Sequence, residues 1–370
     1  MFSKNGAHKK RRKPNILAVL GLAVIVAVLA AAGYVYAEFS GALRNGDTCQ
    51  VAIQKGSSVS AIADKLQDAG AISSKLLFRV YSKVAKTETS YQYGTYQFKN
   101  DIGYKEIANR LMNEGERAQS VRVVIPEGTG VYDYTKDVNG NDVTVPGIGT
   151  LLEKAGVCTK ADFYAALENV SFDTKLLSNA NTQRAYCPLE GYLFPETYDF
   201  YVGDSKECAA RAVERMIKES EKRITDEMYA RANEMGYTMN EILTMASIIQ
   251  MESGQNAAEM PNVAAVFYNR LNSPSFSTLG SSPTCYYGTF YKGDDDRYDT
   301  YKIKGLPPGP LCSPGAAAIN AALYPTENTN YFYFVTDSKG KFYFHKTGAE
   351  QQKTINRLQK EGNWIYEYFN

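Results

Sequence analysis

At 370 residues and 44% hydrophobic composition, the chain has room for more than one packed core. Its formal net charge of +1 is unevenly spread: six of the 41 Lys and Arg residues precede the first apolar run, which leaves 35 against 40 Asp and Glu, a net of −5, for the rest. That acidic balance argues against a nucleic-acid partner, which would want a basic face, and suits work on a neutral or zwitterionic polymer.

The first element is "ILAVLGLAVIVAVLAAAGYVYA", Ile16–Ala37, 22 residues without a charge and long enough to cross a bilayer as a helix. Lys4, Lys9, Lys10, Arg11, Arg12 and Lys13 stand before it, so the positive-inside rule keeps the N-terminus cytoplasmic and sends the rest of the chain out. The run exceeds the apolar core of a cleaved signal peptide, which favours a retained anchor. All six cysteines fall on the outer side, where disulfides and buried free thiols are both open readings. Their spacings match no metal knuckle, and His8 and His345 are the only histidines, so a zinc centre is not expected, nor a Ser-His or Cys-His nucleophile. No cofactor is expected.

After a short stalk, "CQVAIQKGSSVSAIADKLQDAGAISSKLLF" reads as a strand, a Gly turn, a Ser-capped helix ending at Gly70, and a second helix. A strand in "YQYGTYQF" and an amphipathic helix in "GYKEIANRLMNEG" follow. "VVIPEGTGV" and "IGTLLEKAGVCTKADF" repeat the earlier pattern degenerately, which predicts a duplicated β-helix-helix unit with "VNGNDVTVPG" as an inserted surface loop. From Cys187 the aromatic "CPLEGYLFPETYDFYVG" suits a groove wall, and a long charged helix follows.

The sharpest question lies in "TMASIIQMESGQ", where an apolar helix closes on a carboxylate. Thr238 and Glu241 fit a capping box, so the helix runs from Thr238 to about Glu252 and stops at Ser253-Gly254. Met245, Ile248 and Ile249 share the face of Glu252. Burial in that stripe and the C-terminal helix dipole would both hold a proton on Glu252; the bland alternative is a paired structural charge. "EMPNVAAVFYNRLN" is a further helix with Val263, Val266, Phe267 and Leu271 inward. Residues 273–314 are turn-rich with little helical pattern, and the chain ends in a helix, a hairpin of "YFYFVTD" and "KFYFHK", and a closing helix.

A carboxyl of raised pKa beside aromatics suits glycoside cleavage, where the acid protonates the leaving oxygen. Hydrolysis adds a second carboxylate, with Glu190, Glu196, Asp199 and Asp299 as candidates. A lytic transglycosylase needs only one, because the acid becomes the base and takes a proton from the substrate's own hydroxyl. The residues alone leave both open.

The runs "LEGYLFPETY", "ASIIQMES", "VAAVFYNRL", "YDTYKIKGLPPGPLCSPG" and "YFYFVTD", in that order, resemble the endolytic murein transglycosylase (YceG-like) family, from about Cys187 to the C-terminus. The upstream half is similar to that family's LysM-like region. The resemblance implies an α+β fold: a basic cytoplasmic tail (1–15), a transmembrane helix (16–37), a stalk (38–48), a LysM-like domain (49–120), a second related unit or linker (121–186) and a mixed α/β catalytic domain (187–370). It implies membrane-anchored cleavage of nascent peptidoglycan glycan strands with a 1,6-anhydro-N-acetylmuramic acid product, beside penicillin-binding proteins. The catalytic role carries over to Glu252. Members often have a second Glu where this chain has Gln250, an Asp where it has Ser282, and an Asn where it has Asp299, which leaves Asp299 the hydrogen-bonding task of an amide. Glu190, Tyr192, Tyr198, Asn269, Arg270 and Tyr301 are candidate substrate contacts. For Glu190 the competing role is fixing its own turn, for the tyrosines core packing, and for Asn269 and Arg270 bracing Glu252. The LysM-like region is a candidate binder of N-acetylglucosamine chains. A non-catalytic wall-binding scaffold and a two-carboxylate muramidase are the rival functions.

Overall fold

The computed structural model describes residues 16–53, 56–113, 120–138, 141–292 and 296–364, so the basic tail expected at 1–15 lies outside the described residues. The chain divides into two compact units, Met1–Gln119 and Ser120–Asn370. Its architecture is mixed α/β. The strands among the described residues form four separate two-stranded antiparallel sheets, so helix packing supplies most of both cores.

In the first unit, α1 (Ile16–Ser40) contains the one apolar stretch among the described residues that can cross a membrane, Gly21–Ser40. From Gly21 to Tyr34 its residues are exposed, with Leu29 66% exposed. Then come β1 (Thr48–Ile53), α2 (Val59–Asp68), α3 (Lys75–Val84), β2 (Gly94–Lys99) and α4 (Tyr104–Met112), with β1 paired antiparallel to β2 across the two helices. Ser58 and Ser74 cap α2 and α3. Cys49, Val51 and Ile53 alternate inward from β1 onto Ile62, Leu66, Phe78, Tyr96 and Tyr104. The expected stalk at 38–48 is not a free linker. Glu38 is wholly buried, and its carboxylate accepts the Ser73 and Ser74 N–H groups and the Tyr104 hydroxyl. A charge at that depth needs such partners, so the end of α1 is fixed to the unit.

The second unit repeats the pattern at larger scale. It comprises β3 (Ser120–Val124), the hairpin β4 (Tyr134–Val138) and β5 (Asn141–Val145), α5 (Ile148–Lys154), α6 (Lys160–Glu168), β6 (Thr197–Tyr201), α7 (Ser205–Arg223), α8 (Asp226–Glu234), α9 (Met239–Ser253), α10 (Met260–Asn272), α11 (Ser282–Lys292), α12 (Ala316–Leu323), the hairpin β7 (Tyr333–Thr336) and β8 (Phe342–His345), and α13 (Gly348–Lys360). As β1 pairs with β2, so β3 pairs with β6 across α5 and α6, and Thr159 caps α6 as Ser74 caps α3. Four expectations change here. Residues 121–186 are not a unit of their own, because β3 completes its hydrogen bonds only with β6, and Val123, Ile148, Leu152 and Phe163 share one core with the helices beyond Cys187. The expected insertion loop is the β4–β5 hairpin. The turn-rich stretch after Ser273 contains α11, and the single long charged helix is broken between α7 and α8, where Thr225 caps α8. All six cysteines are free thiols, five of them buried.

Candidate active site

The helix α9 is almost wholly inside: Ile242, Met245, Ala246, Ile248 and Ile249 have no exposed surface. Thr238 and Glu241 form the capping box at its start, and Gly254 closes it at φ 57°, a conformation that favours glycine. One turn beyond Ile248, Glu252 emerges from this stripe half-buried rather than desolvated. The Ser281 hydroxyl donates to its Oε1 at 2.6 Å, a charge-assisted contact that fixes one oxygen of the carboxylate.

Ser281 is itself held from behind. Its N–H donates to Thr300 Oγ1 at 2.9 Å, its carbonyl accepts Thr284 Oγ1 at 2.6 Å, and the two threonine hydroxyls meet at 2.7 Å. Ser281, Thr284 and Thr300 are all buried. Reading the sequence placed "SSPT" and "YDTY" near the site but missed these hydroxyls as its frame; the paired small polar residues between loop signals are the only trace they leave. Asp299 does take a hydrogen-bonding task, accepting the Tyr301 N–H.

The guanidinium of Arg270 donates to the carbonyls of Phe332, Leu279 and Gly280 at 2.7, 2.8 and 3.1 Å. It lies over the rings of Phe267, Phe276 and Tyr333. Burial pulls its pKa down from the usual value, and the nearby Glu252 charge opposes that first. Arg270 therefore carries the turn that delivers Ser281 to Glu252 and supplies a counter-charge. Asn269 spends its amide N–H groups on the carbonyls of Thr329 and Tyr331, bracing the strand approach rather than facing outward.

The expected contacts at Glu190, Tyr192 and Tyr198 are corrected by burial, since none retains more than 3% exposure. Glu190 accepts the Val131 N–H at 3.1 Å and the Tyr287 hydroxyl at 3.3 Å, and burial pushes its pKa up to about 8. Tyr192 donates to Asn240 Oδ1 and Tyr198 to the Phe194 carbonyl, with both rings in the core. Tyr301 is placed otherwise: the residue is 55% exposed, with its hydroxyl 3.0 Å from Ser282 Oγ.

"GLPPGPLCSPG" runs as a strap alongside α9. The Pro308 carbonyl accepts from Asn240, the Leu311 N–H donates to Ser247 Oγ, and the Gly315 N–H donates to Gln250 Oε1. Four prolines remove their donors from this eleven-residue segment, and the Leu311 and Gly315 N–H groups find partners on the helix. Gln250 thus ties α9 to the start of α12, while Glu252 faces elsewhere.

The model of the YceG-like family matches residues 51–357 of this chain. The endolytic murein transglycosylase of Bacillus subtilis (strain 168) is 30% identical over 85% of this chain and 86% of its own length. Its counterpart in Streptococcus pneumoniae (strain D39) is 26% identical over 91% of this chain, which spans 64% of that longer protein. A crystal structure of a yceG-like protein from Listeria monocytogenes superposes with a TM-score of 0.52 at 28% identity, covering 84% of this chain and all of that one.

Proposed function

Because the chain belongs to the YceG-like family, we propose that it is a membrane-anchored endolytic lytic transglycosylase that cuts nascent peptidoglycan glycan strands between N-acetylmuramic acid and N-acetylglucosamine. Glu252, protonated, gives its proton to the glycosidic oxygen as the bond to the muramic C1 breaks, and the N-acetylglucosamine product leaves with a hydroxyl. The carboxylate then takes the proton of the muramic C6 hydroxyl while that oxygen bonds to C1. The product is the 1,6-anhydro sugar, no water is consumed, and Glu252 ends protonated as it began. Ser281 holds one carboxylate oxygen so that the other is presented to the sugar, and the exposed Tyr301 offers a ring face for stacking.

The observation that carries the one-carboxylate reading is where the other candidates are spent. Glu190 is buried, Glu196 pairs with Arg223 at 2.7 Å, Asp199 pairs with Arg122 at 3.0 Å, and Asp299 bonds the Tyr301 N–H. A muramidase needs a second carboxylate within reach of the same sugar. In this reading the N-terminus is cytoplasmic, the catalytic unit is extracytoplasmic, the first unit is a LysM-like glycan-binding module, and penicillin-binding proteins supply the nascent strand.

The test is mass spectrometry of glycan fragments from uncrosslinked peptidoglycan treated with the wild type and with Glu252→Gln. Anhydro-muramyl ends made by the wild type alone are expected. Reducing ends would replace the proposal with a muramidase. No cleavage by a folded, membrane-reconstituted protein would leave the wall-binding scaffold.

A further inference from the structure

The first unit carries a surface that glycan cleavage does not use. On α3, Leu76, Val80 and Val84 are 65%, 48% and 79% exposed. They are spaced four residues apart, so they form one apolar stripe along the helix, while the opposite face buries Phe78 and Ser82. Basic residues line one side of the stripe. Lys75 pairs with Asp64, whereas Arg79, Lys83 and Lys86 have no ion pair among the described residues. An exposed aliphatic stripe edged by Lys and Arg side chains is the pattern of a helix lying in a membrane interface.

The position of α3 decides which partner fits. Tyr34 and Tyr36, 50% and 76% exposed, stand at the outer end of the apolar span, where tyrosines mark the membrane–water boundary. Glu38, two residues further, accepts the N–H groups of Ser73 and Ser74 at the start of α3. Seven residues further along, Tyr81 packs edge-on against Phe39 at 5.8 Å between centroids. Two contacts this far apart hold α3 at the level of the last turn of α1. Arg44 reinforces the join by donating to the Glu38, Ala71 and Ile102 carbonyls, and Leu43 beside it is 48% exposed.

We propose that α3 is a second membrane contact: Leu76, Val80 and Val84 enter the outer interface of the bilayer that α1 crosses, with Arg79, Lys83 and Lys86 among anionic phospholipid headgroups. The first unit is then clamped against the membrane rather than swivelling on its anchor. The inference rests on α1 being a membrane anchor and is independent of the chemistry at Glu252.

The test uses the full chain reconstituted in vesicles of phosphatidylglycerol and phosphatidylethanolamine. A photoreactive phenylalanine is placed in turn at Val80, at Val26 within the span, and at the exposed Ala52 on β1. Lipid adducts at Val80 several-fold above those at Ala52 are expected, and they should fall to the Ala52 level when Leu76 and Val84 are both changed to Glu. Adducts at Val26 with none at Val80 would overturn the inference while leaving the anchor intact. Adducts at neither position would overturn both, and a Val80 adduct to a second copy of the chain would replace lipid with self-association. Because all three stripe residues are exposed, these variants keep the core; an unchanged circular dichroism spectrum and thermal midpoint verify it.

Discussion

Glu190 and Glu252 belong to the same unit, yet their surroundings differ in kind. Glu190 is sealed among Val131, Tyr287 and its own turn, with its pKa pushed up to about 8. Glu252 stands half-buried at the end of a buried helix, with one hydroxyl on one oxygen and Arg270 close by. By burial alone Glu190 is the better proton holder. A reacting acid must also meet its substrate, and Glu190 has no surface with which to do so. The pair separates two settings of a carboxyl: one joins segments of the fold, and the other keeps part of its surface in reach of solvent.

The strongest way to break this comparison is to exchange carboxyl for amide at each site. Glu252→Gln should cut turnover by about 10²–10⁴-fold, the range of a general acid–base contribution, and leave the thermal midpoint near the wild-type value. Loss of stability instead would make Glu252 a structural charge. Next in size is Arg270→Met, which strands three carbonyls and removes the clamp on residues 279–280. A cost of about 3 kcal/mol is expected, as for breaking a buried charged network, with turnover falling because Ser281 is no longer delivered to Glu252. Urea unfolding beside kinetics measures both; full activity at lowered stability would confine Arg270 to the fold.

How much of this was legible beforehand differs by element. The helix α9 announced itself through its capping box and apolar stripe, and the β7–β8 hairpin through alternation about a Ser-Lys-Gly turn, because both signals are local. The pairing of β3 with β6 was not legible. It joins residues about 77 apart, as in the Arg122–Asp199 contact, and no local pattern encodes a partner so distant. Glu190, Tyr192 and Tyr198 were misplaced for a related reason: an aromatic-rich strand looks the same whether it lines a groove or a core. The Ser281–Thr284–Thr300 frame escaped because hydroxyls carry no periodic signature. Glu252 was located by its helix, but its half-exposure depends on where α9 leaves the core.

The third effect is a pH dependence. A carboxyl whose folded pKa is about 8 against 4.5 unfolded makes the native state hold a proton that the unfolded state releases between those values. Stability is therefore full below about pH 4.5 and falls as pH rises toward about 8, with a slope from this group of at most ~1.4 kcal/mol per pH unit. Glu190→Gln cannot ionise and keeps an acceptor for the Val131 N–H, so its urea midpoint should be flatter across that window. An identical slope in both proteins would mean that Glu190 does not titrate there.

The smallest expected effect sharpens the outward-facing side of the comparison. Tyr301 offers both an exposed ring and a hydroxyl that meets Ser282. Tyr301→Phe keeps the ring, so stability should move by less than about 0.5 kcal/mol. Tyr301→Ala also removes the ring, and loss of a stacked sugar worth about 1 kcal/mol would raise KM roughly fivefold while leaving kcat in place. If Phe and Ala weaken binding equally, the hydroxyl is the contact; if only Ala does, the ring is. If neither moves KM, the glycan passes Glu252 on another side and Tyr301 serves only to hold Ser282.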